Sequence, residues 1–353
     1  MIIFMLPNPI MIRADASSQI GTGHVMRCLA LAQALQASDF AVTFLMMGAT
    51  SPLEERLATN DIRIKYALAK PGSFEDAKQT IHLTQQLQAE WIIVDGYQFG
   101  AQYQKILKQA GLKVLFFDDY GHVQHYCADI VLNQNLGANP DWYRHRESYT
   151  QLLLGCSYTL LRKEFWSWRG WQREILPVAK KILVTLGGSD PDNVTLKAIH
   201  ALQQIKNTEL DILVVVGGTN PHYVQLQEAV QTMTLNLRLV KNVANMPELM
   251  AWADLAIAAG GSTNWELAFM GLPTVVITLA DNQRDIAQKL DQLGVVINLG
   301  WHLDVTEGAI AQAVSHLLQN SQQQQAMSQK AQQLIDGKGS QRVVKAMQRL
   351  TFP

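Results

Sequence analysis

The stretch Ile12-Arg13-Ala14-Asp15-Ala16-Ser17-Ser18-Gln19-Ile20-Gly21-Thr22-Gly23-His24-Val25-Met26-Arg27-Cys28-Leu29-Ala30-Leu31-Ala32 decides how this chain is read. An apolar strand, Pro9 to Arg13, runs into a polar turn containing Gly21 and Gly23, and a helical pattern begins near His24. Cys28, Leu31, Ala32 and Leu35 recur at i, i+3, i+4 and i+7, the spacing of one buried helix stripe. A histidine therefore stands at the start of a helix, behind a glycine turn, at the carboxyl end of a strand. In open α/β sheets ligands bind at that edge. The unpaired N–H groups of a first helical turn attract anions there and disfavour positive charge on a neighbouring imidazole. His24 is thus expected to be neutral near pH 7 and able to act as a general base. The same residues also fit a loop histidine that only begins a helix.

Outward from this stretch, strands are expected at Ala41–Met47, Ile62–Tyr66, Trp91–Asp95, Lys113–Asp118, Ile130–Asn133 and Gln151–Leu154. Helices fall between them at Pro52–Thr59, Phe74–Gln88 and Ala101–Ala110. Short β-branched and aromatic runs alternating with amphipathic helices predict a parallel, doubly wound sheet. Polar residues close several strands: Asp15 after the first, Asp95-Gly96-Tyr97 after the fourth, Asp118-Asp119-Tyr120 after the fifth. A segment rich in Trp and Arg between Tyr158 and Pro177, with Leu160 to Trp171 at its centre, marks a domain junction where such side chains pack between domains. A second α/β series follows, with strands beginning at Lys181 and then at Asp211–Val216, Leu235–Val240, Leu255–Ala259, Thr274–Leu279 and Val295–Leu299. The tail from Ser321 to Leu350 reads as helix interrupted at Gly337-Lys338-Gly339. Two domains result, 1–170 and 171–353.

Of the 353 residues, 48% are hydrophobic and 17% charged, so a large core is available and disorder is excluded. A net charge of −1 gives no basic field for nucleic acid or an anionic membrane, so any anion must be held by a local site. The three cysteines, Cys28, Cys127 and Cys156, are widely spaced with no CxxC, which reads as reduced, buried thiols in a cytoplasmic protein. Met1 to Leu6 is apolar but short and meets Pro7 and Pro9 at once, so neither a signal peptide nor a membrane span is expected.

Three loops in the second series have the composition of anion holders: Gly187-Gly188-Ser189-Asp190, Gly260-Gly261-Ser262-Thr263-Asn264 and Ala280-Asp281-Asn282-Gln283. Glycines let backbone N–H groups approach a phosphate and hydroxyls add donors. No Walker A ending and no intact GxGxxG occurs, which disfavours a nicotinamide cofactor. Two such loops in one domain suit a diphosphate, although each alone also serves as a strand–helix turn. Glu266 lies a few residues into the helix after Gly261, where an acid favours the helix dipole. No histidine stands at ligand spacing from Asp118-Asp119, so that pair is read as a hydrogen-bonding turn and no metal site is expected.

Arg13-Ala14-Asp15, Ile20 to Leu29, Val94-Asp95-Gly96-Tyr97, Gly155 to Phe165, Gly187 to Pro191, Gly261 to Glu266 and Asp281-Asn282-Gln283 together resemble the UDP-2,4-diacetamido-2,4,6-trideoxy-β-L-altropyranose hydrolases of pseudaminic acid biosynthesis. The resemblance runs over nearly the whole chain. It implies a GT-B architecture, two Rossmann-like parallel-sheet domains facing across a cleft, and loss of UDP from C1 of the sugar by inverting attack of water without a required metal or cofactor. Carried over by motif, His24 activates water and Tyr97 touches the sugar. Arg13, Asp15, Gly21 and Gly23 line the wall near His24. Gly188, Ser189, Ser262, Thr263, Glu266 and Asn282 face the diphosphate and uridine. The implied partner is a small UDP-sugar, with no nucleic acid and no membrane. The glycine–histidine opening and the GGS segment occur in looser form in GT-B glycosyltransferases such as the lipid II synthase, so transfer to an acceptor is the alternative activity. A non-catalytic UDP-sugar binding protein is a third reading.

Overall fold

The computed structural model describes residues 8–16, 22–206, 209–241 and 243–351. The chain divides into two compact units: residues up to Lys163 together with those from Lys338 onward, and Glu164–Gly337.

In the first unit the strands are β1 (Asn8–Ala14), β2 (Phe40–Met46), β3 (Arg63–Tyr66), β4 (Trp91–Asp95), β5 (Lys113–Phe117), β6 (Ile130–Asn133) and β7 (Gln151–Leu154). They form one parallel sheet in the order β3-β2-β1-β4-β5-β6-β7. The central strands read as continuous apolar runs because helices cover both faces, as parallel sheets require. Helices α1 (Gly23–Gln36), α2 (Ser51–Ala58), α3 (Phe74–Gln86) and α4 (Ala101–Gln109) make the crossovers. Ser73 caps α3 by accepting from Asp76 N.

The second unit repeats the plan. Its strands β8 (Lys181–Thr185), β9 (Asp211–Val216), β10 (Asn236–Lys241), β11 (Leu255–Ala259), β12 (Thr274–Thr278) and β13 (Val296–Trp301) run parallel in the order β10-β9-β8-β11-β12-β13. Its helices are α5 (Val194–Gln203), α6 (Tyr223–Gln231), α7 (Met246–Trp252), α8 (Thr263–Phe269), α9 (Asp281–Gln292), α10 (Glu307–Leu318) and α11 (Ser321–Leu334). The strand order of each sheet reverses once, between β1 and β4 in the first unit and between β8 and β11 in the second. Such reversal points leave a crevice at the strands' carboxyl ends.

Two features depart from the sequence reading. The tail does not stay with the second domain: α12 (Gly339–Thr351) belongs to the first unit and packs on α1. Trp91 Nε1 donates to Thr351 Oγ1 at 2.8 Å, and Arg342 donates to the Ser157 carbonyl at 2.7 Å. A Cβ on Gly339 would lie 2.1 Å from the Thr159 carbonyl oxygen, so this close approach needs a glycine. With the sheet on one side and α12 on another, α1 is buried from Val25 to Leu35 except at Met26 and Arg27, where a single apolar stripe was expected. The second departure concerns the Trp- and Arg-rich segment. Within the second unit its Arg173 donates to the carbonyls of Met250, Ala253 and Met270, groups at or just after the ends of α7 and α8. Among the described residues no helix is long and apolar enough to cross a membrane. Residues 1–7, the apolar start of the chain, lie outside the described residues.

Candidate active site

The first sheet reverses between β1 and β4, and the two strand ends flanking that point carry the polar groups. Ala14 of β1 stands beside Asp95 of β4 in register. The turn after β1 leads into α1, whose second residue is His24, 8% exposed. Its Nδ1 lies 2.7 Å from Asp95 Oδ1. Arg27, one helical turn on, donates from Nε to Asp95 Oδ2 at 2.6 Å and from Nη2 to Oδ1 at 2.7 Å. It also donates to both oxygens of Asp119, at 2.7 and 3.1 Å. Tyr97 donates its hydroxyl to Asp119 at 2.8 Å and sets its ring edge-on to His24, 4.9 Å between centroids. Asn135 donates to Asp119 as well. Helix spacing explains the pair His24 and Arg27: residues three apart share a face, and that face looks onto the end of β4.

The electrostatics follow from this packing. Burial alone would raise the Asp95 carboxyl, but the Arg27 charge, His24 and their hydrogen bonds outweigh it and hold Asp95 well below the usual carboxylate range. Asp119, 12% exposed, is desolvated less completely, and Arg27 again holds it low. An ionised Asp95 can only accept, so the proton on the facing nitrogen belongs to His24 Nδ1 and the basic lone pair falls on Nε2. Cys28 donates its thiol to Asp95 Oδ2 at 3.4 Å. Burial and the Asp95 charge push that thiol well up, so Cys28 is packing rather than a nucleophile, as its place on the helix predicts.

Arg13, expected on the wall near His24, is instead fully enclosed. Its guanidinium pairs with Asp15 (2.7 Å) and Asp76 (3.1 Å) and lies over the Phe99 ring. Asp15 also accepts from Met47 N and Gln98 Nε2. An arginine inside a sheet must be paired to remain there, and Asp15 and Asp76 supply that pairing. Gly23 is exposed, with open space over its Cα. Gly21 lies outside the described residues. Asp118 is the hydrogen-bonding turn expected of it, accepting from Tyr120 N, Gly121 N and the Tyr126 hydroxyl. Its neighbour Asp119 turns the other way, into the His24 network. The sequence reading noted Asp95 and Asp119 only as strand-end acids and missed Arg27. The signal available was the i+3 spacing from His24.

In the second unit the loops after β8, β11 and β12 leave adjacent parallel strands and so share one sheet edge. Asp190 accepts from Val194 N, Thr195 N and Thr195 Oγ1, fixing the start of α5 and leaving Gly188 and Ser189 half-buried ahead of it. Thr219 Oγ1 donates to the Gly188 carbonyl at 2.8 Å, and a Cβ on Gly217 would lie 2.1 Å from that oxygen. The Gly187-Gly188 loop after β8 and the Gly217-Gly218 loop after β9 therefore lie directly against each other. Asn264 ties the next loop down by donating to the carbonyls of Ala259 and Gly261, leaving Ser262 exposed and Thr263 half-buried. Gln283 accepts from Leu279 N, which fixes the third loop. Asn282 is exposed in the first turn of α9, and Glu266 is half-buried in α8.

The sequence spacing gave no metal-ligand set, but the structure brings His125, Cys127 and Glu147 together, with one ligand atom of each within 4.8 Å of the others. The reading missed it because Glu147 arrives from a separate segment.

Residues 182–348 match the model of the glycosyltransferase family 28 C-terminal domain. The chain is 28% identical over 285 residues to an uncharacterised protein of Methanocaldococcus jannaschii, a match covering 78% of this chain and 57% of that one. This chain therefore spans little more than half the length of that relative. It is 29% identical over 289 residues to the UDP-2,4-diacetamido-2,4,6-trideoxy-beta-L-altropyranose hydrolase of Campylobacter jejuni, covering 81% of this chain and 97% of that one. Among solved structures, Acinetobacter baumannii MurG superposes with a TM-score of 0.66 over 97% of this chain and all of that one, at 20% identity. The fold is the GT-B architecture, built from two Rossmann-like parallel-sheet domains.

Proposed function

We propose that the chain is a UDP-sugar hydrolase that releases UDP from UDP-2,4-diacetamido-2,4,6-trideoxy-β-L-altrose by inverting attack of water at C1. The observation that carries the reading is the 2.7 Å contact of His24 Nδ1 with a buried Asp95. It leaves Nε2 as the base, held in one tautomer by a carboxylate that Arg27 keeps ionised. Nε2 takes a proton from water as the water oxygen bonds to C1. The bond from C1 to the β-phosphate oxygen breaks, and its electron pair leaves with UDP. Tyr97, edge-on to His24, contacts the sugar. In the second unit, backbone N–H groups around Gly188, Ser189, Ser262 and Thr263, with Asn282, receive the diphosphate, and Glu266 accepts from the ribose. Donors of this kind stabilise a leaving oxyanion without reorganising. The Campylobacter relative, matched along nearly its whole length, supports the substrate class.

The match of 182–348 to a glycosyltransferase domain favours a second reading, transfer of the sugar to an acceptor. One experiment separates the two. The protein is incubated with UDP-diacetamido sugars alone in 18O water, and products are read by mass spectrometry and proton NMR. Free sugar carrying label, with inverted C1, is expected. Release that needs an added acceptor assigns a transferase, and label in UDP means attack at phosphorus. UDP binding with no turnover of any sugar leaves a binding protein.

A further inference from the structure

We propose that His125, Cys127 and Glu147 bind a thiophilic divalent ion of the Zn2+ class, at a site on the first unit outside the His24 network. An imidazole nitrogen, a thiol sulfur and a carboxylate oxygen there lie mutually within 4.8 Å. The backbone builds this arrangement. Tyr126 N donates to the His145 carbonyl at 2.9 Å and Glu147 N donates to the Tyr126 carbonyl at 3.0 Å, so the two segments run side by side in parallel. Along extended chain alternate side chains take opposite faces. Tyr126 goes inward, fully buried, with its hydroxyl on Asp118 at 2.6 Å. His125 and Cys127 take the other face, beside Glu147. The Cys127 backbone is pinned on both sides, its N–H donating to Gln104 and its carbonyl accepting from the Tyr149 hydroxyl. The Cys127 donor is therefore placed before any ion arrives.

Nitrogen, thiolate and carboxylate are the ligand types of zinc, and three protein ligands leave a fourth position for water. Ionised, Cys127 and Glu147 carry two negative charges against a divalent cation. Burial, and next the Glu147 charge, push the Cys127 thiol up, and a bound cation reverses that direction. The His125 and Glu147 side chains are 45% and 43% exposed, which gives the ion a route from solvent. Without an ion they bond to each other at 3.0 Å, the state that metal must displace. Neither other thiol has such company: Cys28 is enclosed against Asp95 and burial pushes Cys156 up to about 12. A bound ion would strap residues 145–147 to 125–127 and so brace Tyr126 against the Asp118 turn.

The test titrates Co2+ into the full chain after chelation and desalting. One equivalent is expected, with the near-ultraviolet charge-transfer absorption of a sulfur–cobalt bond, displaced by Zn2+. Cys127→Ser removes the band. His125→Ala and Glu147→Gln, both at exposed side chains, each weaken binding by about tenfold or more and leave the metal-free melting temperature unchanged. Absence of the band, its survival in Cys127→Ser, or unaltered affinity in both exposed variants overturns the site.

Discussion

His24 Nδ1 and Asp95 Oδ1 lie 2.7 Å apart, across the point where the first sheet reverses its strand order. The pair joins the start of one helix to the end of a strand far along the chain, so the sheet fixes the ring's orientation. Asp95→Asn offers Nδ1 an amide N–H and stabilises the tautomer with its proton on Nε2. Turnover of the UDP-sugar should fall by about 10²–10⁴-fold, the range for losing an oriented base. The UDP dissociation constant, measured by calorimetry, should stay unchanged. His24→Asn should lose turnover with the same sparing of UDP affinity. Wild-type turnover in both variants would remove the pair from the mechanism.

Acid should unfold the first unit through Asp95 and Asp119. Both carboxyls lie below their ordinary value in the folded chain, because Arg27 outweighs their burial. A carboxyl with a depressed folded pKa contributes stability that is fully present above its unfolded value of about 4 and is lost as pH falls through the folded value. Urea midpoints should therefore be flat above about pH 5 and decline below about pH 4. Arg27→Met should lower the neutral-pH midpoint and flatten that decline, because the two acids then gain rather than lose by protonation. An acid limb as steep as wild type in Arg27→Met would refute the assignment.

Gly217→Ala should loosen the loop after β8, which is proposed to receive the diphosphate. The added Cβ would meet the Gly188 carbonyl oxygen at 2.1 Å, a backbone atom that can retreat only by moving its loop. Overpacking of this kind costs about 1–3 kcal/mol. Lower thermal stability and weaker UDP binding are expected together. A stable variant with unchanged UDP affinity would show that the loop does not hold the nucleotide.

Arg173→Met should cost stability and spare chemistry. Arg173 is 8% exposed and serves three carbonyls at helix ends. Burial pulls its guanidinium down to about 10. Methionine matches much of the volume but leaves the carbonyls without donors, a loss of about 3 kcal/mol. The urea midpoint should drop while UDP binding at pH 7 is retained.

The strands were legible because each is a short β-branched or apolar run closed by glycine or acid. Trp91–Asp95, Ile130–Asn133, Gln151–Leu154, Asp211–Val216 and Leu255–Ala259 fall where the pattern puts them. The tail was not legible: α12 has an ordinary amphipathic pattern, and nothing in that periodicity says which sheet it will cover. At the site, His24 and Tyr97 could be picked out because each follows a strand end and a glycine. Arg13 sits equally close to the strand end, yet its side chain turns inward to Asp76, an acid whose position depends on α3 packing. Arg27 escaped notice for the opposite reason. It reads as an ordinary helix arginine until the fold brings two acids from β4 and β5 to meet it.

Because α12 completes the layer over α1, the first unit is finished by residues that follow the whole second unit in the chain. The second unit, an uninterrupted segment, emerges whole before them. The half of the chain that is made first is therefore the half that must wait, its α1 flank bare until translation has passed the entire second unit.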